Sequence, residues 1–134
     1  MNTTRKCKTF LQMFYERDME TLLLRSITPK LAMVLRLFEI NPADQKLEPL
    51  NWVFPWAKLL PTDLYVSLWV DEFFPKWLET LYLWLTHSPD LSEIMRWYNG
   101  WKGILEHLLR FPEIEDQFRR GLDMMNQLIA GDDS

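Results

Sequence analysis

Between Asp90 and Arg110 apolar side chains recur at helical spacing, and that recurrence leaves the chain little choice of fold. Set at about 100° per residue, Leu91, Ile94, Met95, Trp97, Tyr98, Trp101, Ile104, Leu105, Leu108 and Leu109 fill an arc of roughly 180°, broken only by Lys102. A helix resting on one neighbour needs an arc nearer 100°. A half-circle predicts two neighbours. The same period recurs elsewhere, and 134 residues contain only four glycines. The expectation is an all-α domain over residues 1–134. About five to six helices would form an antiparallel bundle or a short solenoid-like helical array.

Prolines mark the breaks. A first helix is expected from about Lys8 to Leu24. Thr28 and Pro29 read as the cap and first position of a second helix, reaching Ile40. Only Lys30, Arg36 and Glu39 interrupt its apolar surround, which predicts an interior helix. Residues 41–62 hold four prolines together with Leu47, Leu50, Trp52, Phe54, Trp56, Leu59 and Leu60. A solvated linker would not carry that load, so short helical turns packed on the helices are expected.

A further helix should open at Thr62 or Asp63 and run to about Thr86. Pro75 lies inside it. Proline removes a backbone donor and crowds the carbonyl four residues back, so a kink is expected between Asp71 and Phe74. Before the kink, Trp69 and Phe73 lie together, away from Leu64 and Leu68. Ser88 or Asp90 should cap the helix to about Arg110. Pro112 suits the first position of the last helix, with Glu113, Glu115 and Asp116 near its N-terminal dipole. Its stripe is Ile114, Phe118, Leu122, Met125 and Ile129, and Gly131 is a natural stop. The expected core includes Leu31, Phe38, Trp77, Leu81, Trp84, Ile94, Trp97, Tyr98, Trp101, Leu105, Phe118 and Leu122.

No apolar run approaches the length of a membrane span, and no apolar segment follows the basic residues at the start, so an intracellular soluble chain is expected. Residues 1–36 hold seven basic against three acidic side chains, and the remainder holds eight against sixteen. The acidic body disfavours broad phosphate contact. Arg5, Lys6 and Lys8 would touch RNA or an acidic partner, or simply line a solvated helix face.

Chemistry is hard to find. The glycines lie within helices or at their ends, and none forms a phosphate loop. A single cysteine, Cys7, allows no internal disulfide, and His87 and His107 are too few for a nitrogen–sulfur zinc site without carboxylates. His107 reads as a surface residue, and His87 as a cation near a helix C-terminus. Asp71-Glu72 and Glu115-Asp116 are adjacent in sequence and diverge on a helix. No catalytic constellation, metal, cofactor or small-molecule substrate is expected. The remaining signal is seven tryptophans. Trp77, Trp84, Trp97 and Trp101 fit helical stripes, whereas Phe54, Trp56, Trp69 and Phe73 are less well placed and become candidate protein-binding residues.

Several phrases occur in a specific order: Ile27-Thr28-Pro29-Lys30-Leu31, Ile40-Asn41-Pro42 with Gln45, Trp52-Val53 with Trp56, Phe73-Phe74-Pro75-Lys76-Trp77-Leu78, Leu83-Trp84-Leu85, Ser88-Pro89, Glu93-Ile94, Trp97-Tyr98, Gly100-Trp101-Lys102, and Leu122-Asp123-Met124-Met125-Asn126. From about residue 10 to 130 the chain resembles the C-terminal, GC-rich-sequence-DNA-binding-factor-like part of the tuftelin-interacting protein 11 family. Those are G-patch proteins of spliceosome disassembly, also called septin-interacting proteins. The resemblance implies a nuclear pre-mRNA splicing factor that works with a DEAH-box RNA helicase on the intron-lariat spliceosome. The family engages the helicase chiefly through its G-patch, a glycine-rich segment that these residues do not match. An excised or shortened docking piece is therefore expected, with spliceosomal and disassembly-complex proteins as partners. The alternative is a nucleic-acid-binding domain using Arg5, Lys6, Lys8 and exposed aromatics.

Overall fold

Proline 75 sets the geometry around which the helices gather. The computed structural model describes residue 22, residues 24–87 and residues 90–132, with residues 131 and 132 described by backbone alone. The expected helix from Lys8 to Leu24, the Ser88 cap, and Arg5, Lys6 and Lys8 lie outside them, Leu22 and Leu24 excepted. The described residues form α1 (24–37), α2 (Thr62–Leu68), α3 (Phe74–His87), α4 (Leu91–Ile104) and α5 (Pro112–Asp132), with no strand among them.

Between α2 and α3 the chain makes a π turn, Trp69–Phe73, closed by the Phe74 N–H on the Trp69 carbonyl. Proline cannot donate, and the wider turn accommodates its ring without ending the helical path. The turn also changes register. In an α-helix, Trp69 and Phe73 would share a face and Phe74 would point elsewhere. Here Trp69, Phe73, Phe74, Trp77 and Leu81 are all fully buried. The expected kink is thus a π turn. Leu68 is buried with Trp69 instead of lying apart from it.

These rings form a continuous aromatic core. Trp69 meets Phe73 edge-on at 5.1 Å, and Phe73 meets Phe74 at 5.1 Å. Phe118 of α5 lies 5.4 Å from Phe74 and 5.1 Å from Trp77, both near-perpendicular. Trp97 of α4 stacks on Trp77 at 5.3 Å, and Trp101 reaches Phe73 at 5.2 Å. Offset and edge-to-face contacts of this kind are favoured by the ring quadrupoles. Between α4 and α5, the Tyr98 hydroxyl donates to the Phe118 carbonyl at 2.9 Å. Of the expected core, Trp84, Trp97 and Leu122 are only half-buried; they pack on this cluster from its edge.

Helix α1 departs from expectation. It runs through Pro29 without starting there, and Thr28 caps nothing; its hydroxyl is buried without a partner. Leu24, Ile27, Leu31 and Leu35 form one unbroken stripe on the core while Pro29 faces outward, so packing carries the helix past the proline. Nor is α1 interior, since Met33 and Leu37 are exposed. Its C-terminus is held by α3. The Lys76 ammonium donates to the carbonyls of Leu35, of Arg36 at 2.6 Å and of Phe38 at 2.7 Å. Nearby, Arg36 makes a two-pronged bond to Glu72 at 2.9 and 3.0 Å.

Asp90 caps α4, its carboxylate accepting from the N–H groups of Ser92 and Glu93 at 3.1 and 3.4 Å. The helix stops at Ile104, short of Arg110. Its end is followed by a 3-10 turn, Glu106–Leu108, which buries Leu105 and Leu108 together. Residues 41–62 fold into two 3-10 turns, Glu48–Trp52 and Phe54–Ala57, with Leu50, Val53 and Leu60 buried. Helix α5 begins at Pro112 and continues one residue past Gly131. Its stripe holds Ile114, Phe118 and Met125 in the core, but Ile129 is exposed.

Four stability changes are expected in thermal or denaturant unfolding. Trp77→Ala or Trp101→Ala should cost about 3–5 kcal/mol, because each leaves a large cavity. A Cβ added at Gly121 would stand 3.1 Å from atoms of both Trp77 and Leu81, whereas one at Gly100 meets nothing within 4 Å. Trp77 is fully buried and stacked on Trp97, which resists the shift that the new contact asks for, so Gly121→Ala should destabilise by about 1–3 kcal/mol. Gly100→Ala should stabilise by about 0.5–1 kcal/mol through helix propensity. Lys76→Met, which strips three carbonyls of a charged donor, should cost about 2–3 kcal/mol.

Candidate protein-interaction surface

The four residues singled out as candidate anchors do not stay together. Trp69 and Phe73 are wholly buried and cannot meet a partner; the π turn puts both on the core side. Phe54 and Trp56 are half-buried. Phe54 lies flat on Trp69 at 5.8 Å, with the His107 ring edge-on to it at 5.3 Å. It therefore roofs the core. Residues 54–57 are positioned by this stack and by the backbone bond from Trp56 N–H to the Val53 carbonyl.

His107 is better placed than a plain surface residue. Much of it is open to solvent, but its Nε2 lies 3.0 Å from the Tyr65 hydroxyl. Burial pushes the Tyr65 hydroxyl up to about 12, so it keeps its proton beside the imidazole. Burial, helped by the positive charge of Arg110, holds His107 below its ordinary value of 6.5. A hydrogen bond between a neutral imidazole and a protonated phenol ties the turn after α4 to α2. It is a structural clasp between two elements far apart in sequence.

Pattern reading gave Trp52 no firm place, as with Trp56 and Trp69, and did not choose it as an anchor; it is the most exposed tryptophan. Trp52 and Leu37 are each 74% exposed. Trp52 ends a 3-10 turn whose Leu50 is fully buried, so the turn's inner side anchors it and its outer side displays the indole. Trp52 and Leu37 line one open groove of about 560 Å³. Its floor is Val34, Phe38 and Pro49, and Glu39, Asp44, Lys46 and Glu48 stand around it. The signal for Trp52 in the sequence was its position: second residue after the Pro49-Leu50 pair, at a short turn whose one buried side is taken by Leu50.

A second, larger groove of about 1000 Å³ lies between α3 and α4, over Trp84 and Trp97. Leu83 also lines it and is exposed. Glu93, Arg96 and His87 give its rim mixed charge. Among the described residues no group of three or more His, Cys, Asp or Glu side chains is arranged to hold a metal ion, and no helix is long and apolar enough to cross a membrane.

What the fold defines is an all-α domain with a shared aromatic core, with bulky apolar side chains displayed at its grooves. A family model described as GC-rich sequence DNA-binding factor-like protein matches residues 6–81, and the chain belongs to that family. Tuftelin-interacting protein 11 of Danio rerio is 42% identical over 112 residues, which make up 83% of this chain and 14% of that protein. The Xenopus laevis protein of the same name is 38% identical over 120 residues, 89% of this chain and 15% of the relative. The Rattus norvegicus one is 39% identical over 112 residues, 83% and 13%. The chain thus spans about a seventh of the length of these curated relatives. The Trp52 groove lies wholly inside the span that the family model matches.

The Tyr65–His107 clasp has a pH consequence. The folded chain takes up the His107 proton less readily than the unfolded chain does. Its contribution is complete above pH 6.5 and is lost progressively as the pH falls toward the depressed folded value. Melting temperature should therefore fall from pH 7 to pH 5, and His107→Gln should flatten that slope. Parallel slopes for the two proteins would remove His107 from the account.

Proposed function

We propose that this chain is a non-catalytic protein-interaction domain of a nuclear pre-mRNA splicing factor. In this reading it acts in disassembly of the intron-lariat spliceosome, alongside a DEAH-box RNA helicase. Family membership supports the setting. The single observation that carries the interaction reading is the groove flanked by Trp52 and Leu37, two large apolar side chains left open to water. A chain that packs three tryptophans completely leaves a fourth outside, where an exposed indole is costly unless something covers it. Buried aromatic anchors dominate interface energetics, and Trp52 is such an anchor in waiting. In this reading these residues contribute docking and leave helicase engagement to the family's G-patch.

The test is co-purification from nuclear extract with the parent protein carrying Trp52→Ala or Leu37→Ser. Spliceosomal proteins should be retained by the unaltered protein after nuclease treatment and should fall away with either variant. Unfolding of the isolated chain should be unchanged by Trp52→Ala, since its ring packs little. Binding that vanishes on nuclease treatment alone would shift the reading to nucleic acid.

A further inference from the structure

The chemistry around Trp52 specifies its partner more closely. We propose that the groove takes a basic peptide segment of a partner protein, an arginine or lysine side chain laid on the Trp52 indole next to a bulky apolar residue seated by Leu37. This rests on the docking reading above and adds the charge of what docks.

Three carboxylates, Glu39, Asp44 and Glu48, face the groove against one ammonium, Lys46. Among the described residues none of the three is in an ion pair. The nearest strong pairing, Arg36 with Glu72, is already satisfied within the fold. Among the described residues, the groove therefore offers net negative charge beside an exposed indole face. That combination attracts a guanidinium or ammonium through both the ring quadrupole and the carboxylates. It repels phosphate, so nucleic acids and anionic lipid surfaces are poor occupants.

The charges are also held in place. The Gln45 amide donates to the carbonyls of Glu39 and Lys46, each at 3.0 Å, and its oxygen accepts from the Asn41 N–H at 2.9 Å. The Asn41 carboxamide oxygen in turn accepts from the Ala43 N–H at 3.0 Å. One glutamine thus staples the backbone of residues 39–46 into a fixed loop, so less backbone ordering is needed when the Glu39 and Asp44 carboxylates engage a partner. Lys76, holding the Phe38 carbonyl, fixes the start of the same loop.

The experiment uses the whole chain and short labelled peptides, one alternating arginine with leucine, one glutamine with leucine and one glutamate with leucine. Binding is read by fluorescence anisotropy of the label at low and moderate salt. Sedimentation reports self-association. The arginine peptide should bind saturably and more weakly as salt rises. Its affinity should fall at least about tenfold in Trp52→Ala and in the triple variant Glu39→Gln, Asp44→Asn, Glu48→Gln. Circular dichroism and melting should show both variants folded. A glutamine or glutamate peptide binding equally well through Trp52 would overturn the basic chemistry and leave the docking reading standing. A dimer that disappears in Trp52→Ala would overturn it in favour of a second copy of the chain. Absence of saturable binding by the arginine peptide, or binding indifferent to the triple variant, overturns the proposal, while co-purification of the parent protein judges the docking reading separately.

Discussion

The missing N–H of one proline organises the whole domain. Pro75 prevents the α2–α3 path from closing as an ordinary α-helix, and the chain answers with a five-residue π turn. The extra residue rotates everything after it. Trp69 and Phe73 come to share a face with Phe74, Trp77 and Leu81, and that shared face is what α4 and α5 pack on. Without the turn the two halves of this long helix would present their aromatics in different directions, and one core could not serve both.

The same turn places a charge where α1 needs one. Lys76 follows Pro75 directly, and its stem lies against the core while its ammonium reaches the end of α1. Carbonyls at a helix C-terminus lack intrahelical partners and carry the negative end of the dipole, so a cation is the fitting cap. Burial lowers the Lys76 pKa, an effect that Glu72 partly opposes. Packing and charge therefore act through one short stretch, residues 69–76, to which α1, α2, α3 and α5 are all attached.

Much of this was legible in order and kind. Helical periodicity gave the all-α class, and local chemistry gave the Asp90 cap, the Pro112 start and the break at Pro75. What failed were inferences that needed to know the neighbours. Thr28-Pro29 has the local signature of a helix start, yet a packed stripe from Leu24 to Leu35 overrides it. Trp69 and Phe73 looked unplaced because an α-helical wheel drawn across Pro75 misses the rotation. The Lys76 cap joins residues about forty apart in sequence, which no local pattern records. The display of Trp52 became visible only when Leu50 was seen to take the inner side of their turn.

The uneven burial of the indoles makes the domain a reporter on itself. Trp77, Trp97 and Trp84 form a contiguous group, stacked at 5.3 Å and edge-on at 5.8 Å, close enough to exchange excitation. Trp52 shares no ring contact with any of them and sits in water. Light emission from this chain therefore includes an inner component sensitive to the packing of α3 against α4 and an outer component, from Trp52, sensitive to whatever lies over residues 37–52. Loss of the fold and arrival of a partner would change different parts of the spectrum, so the two events can be told apart in an unlabelled molecule.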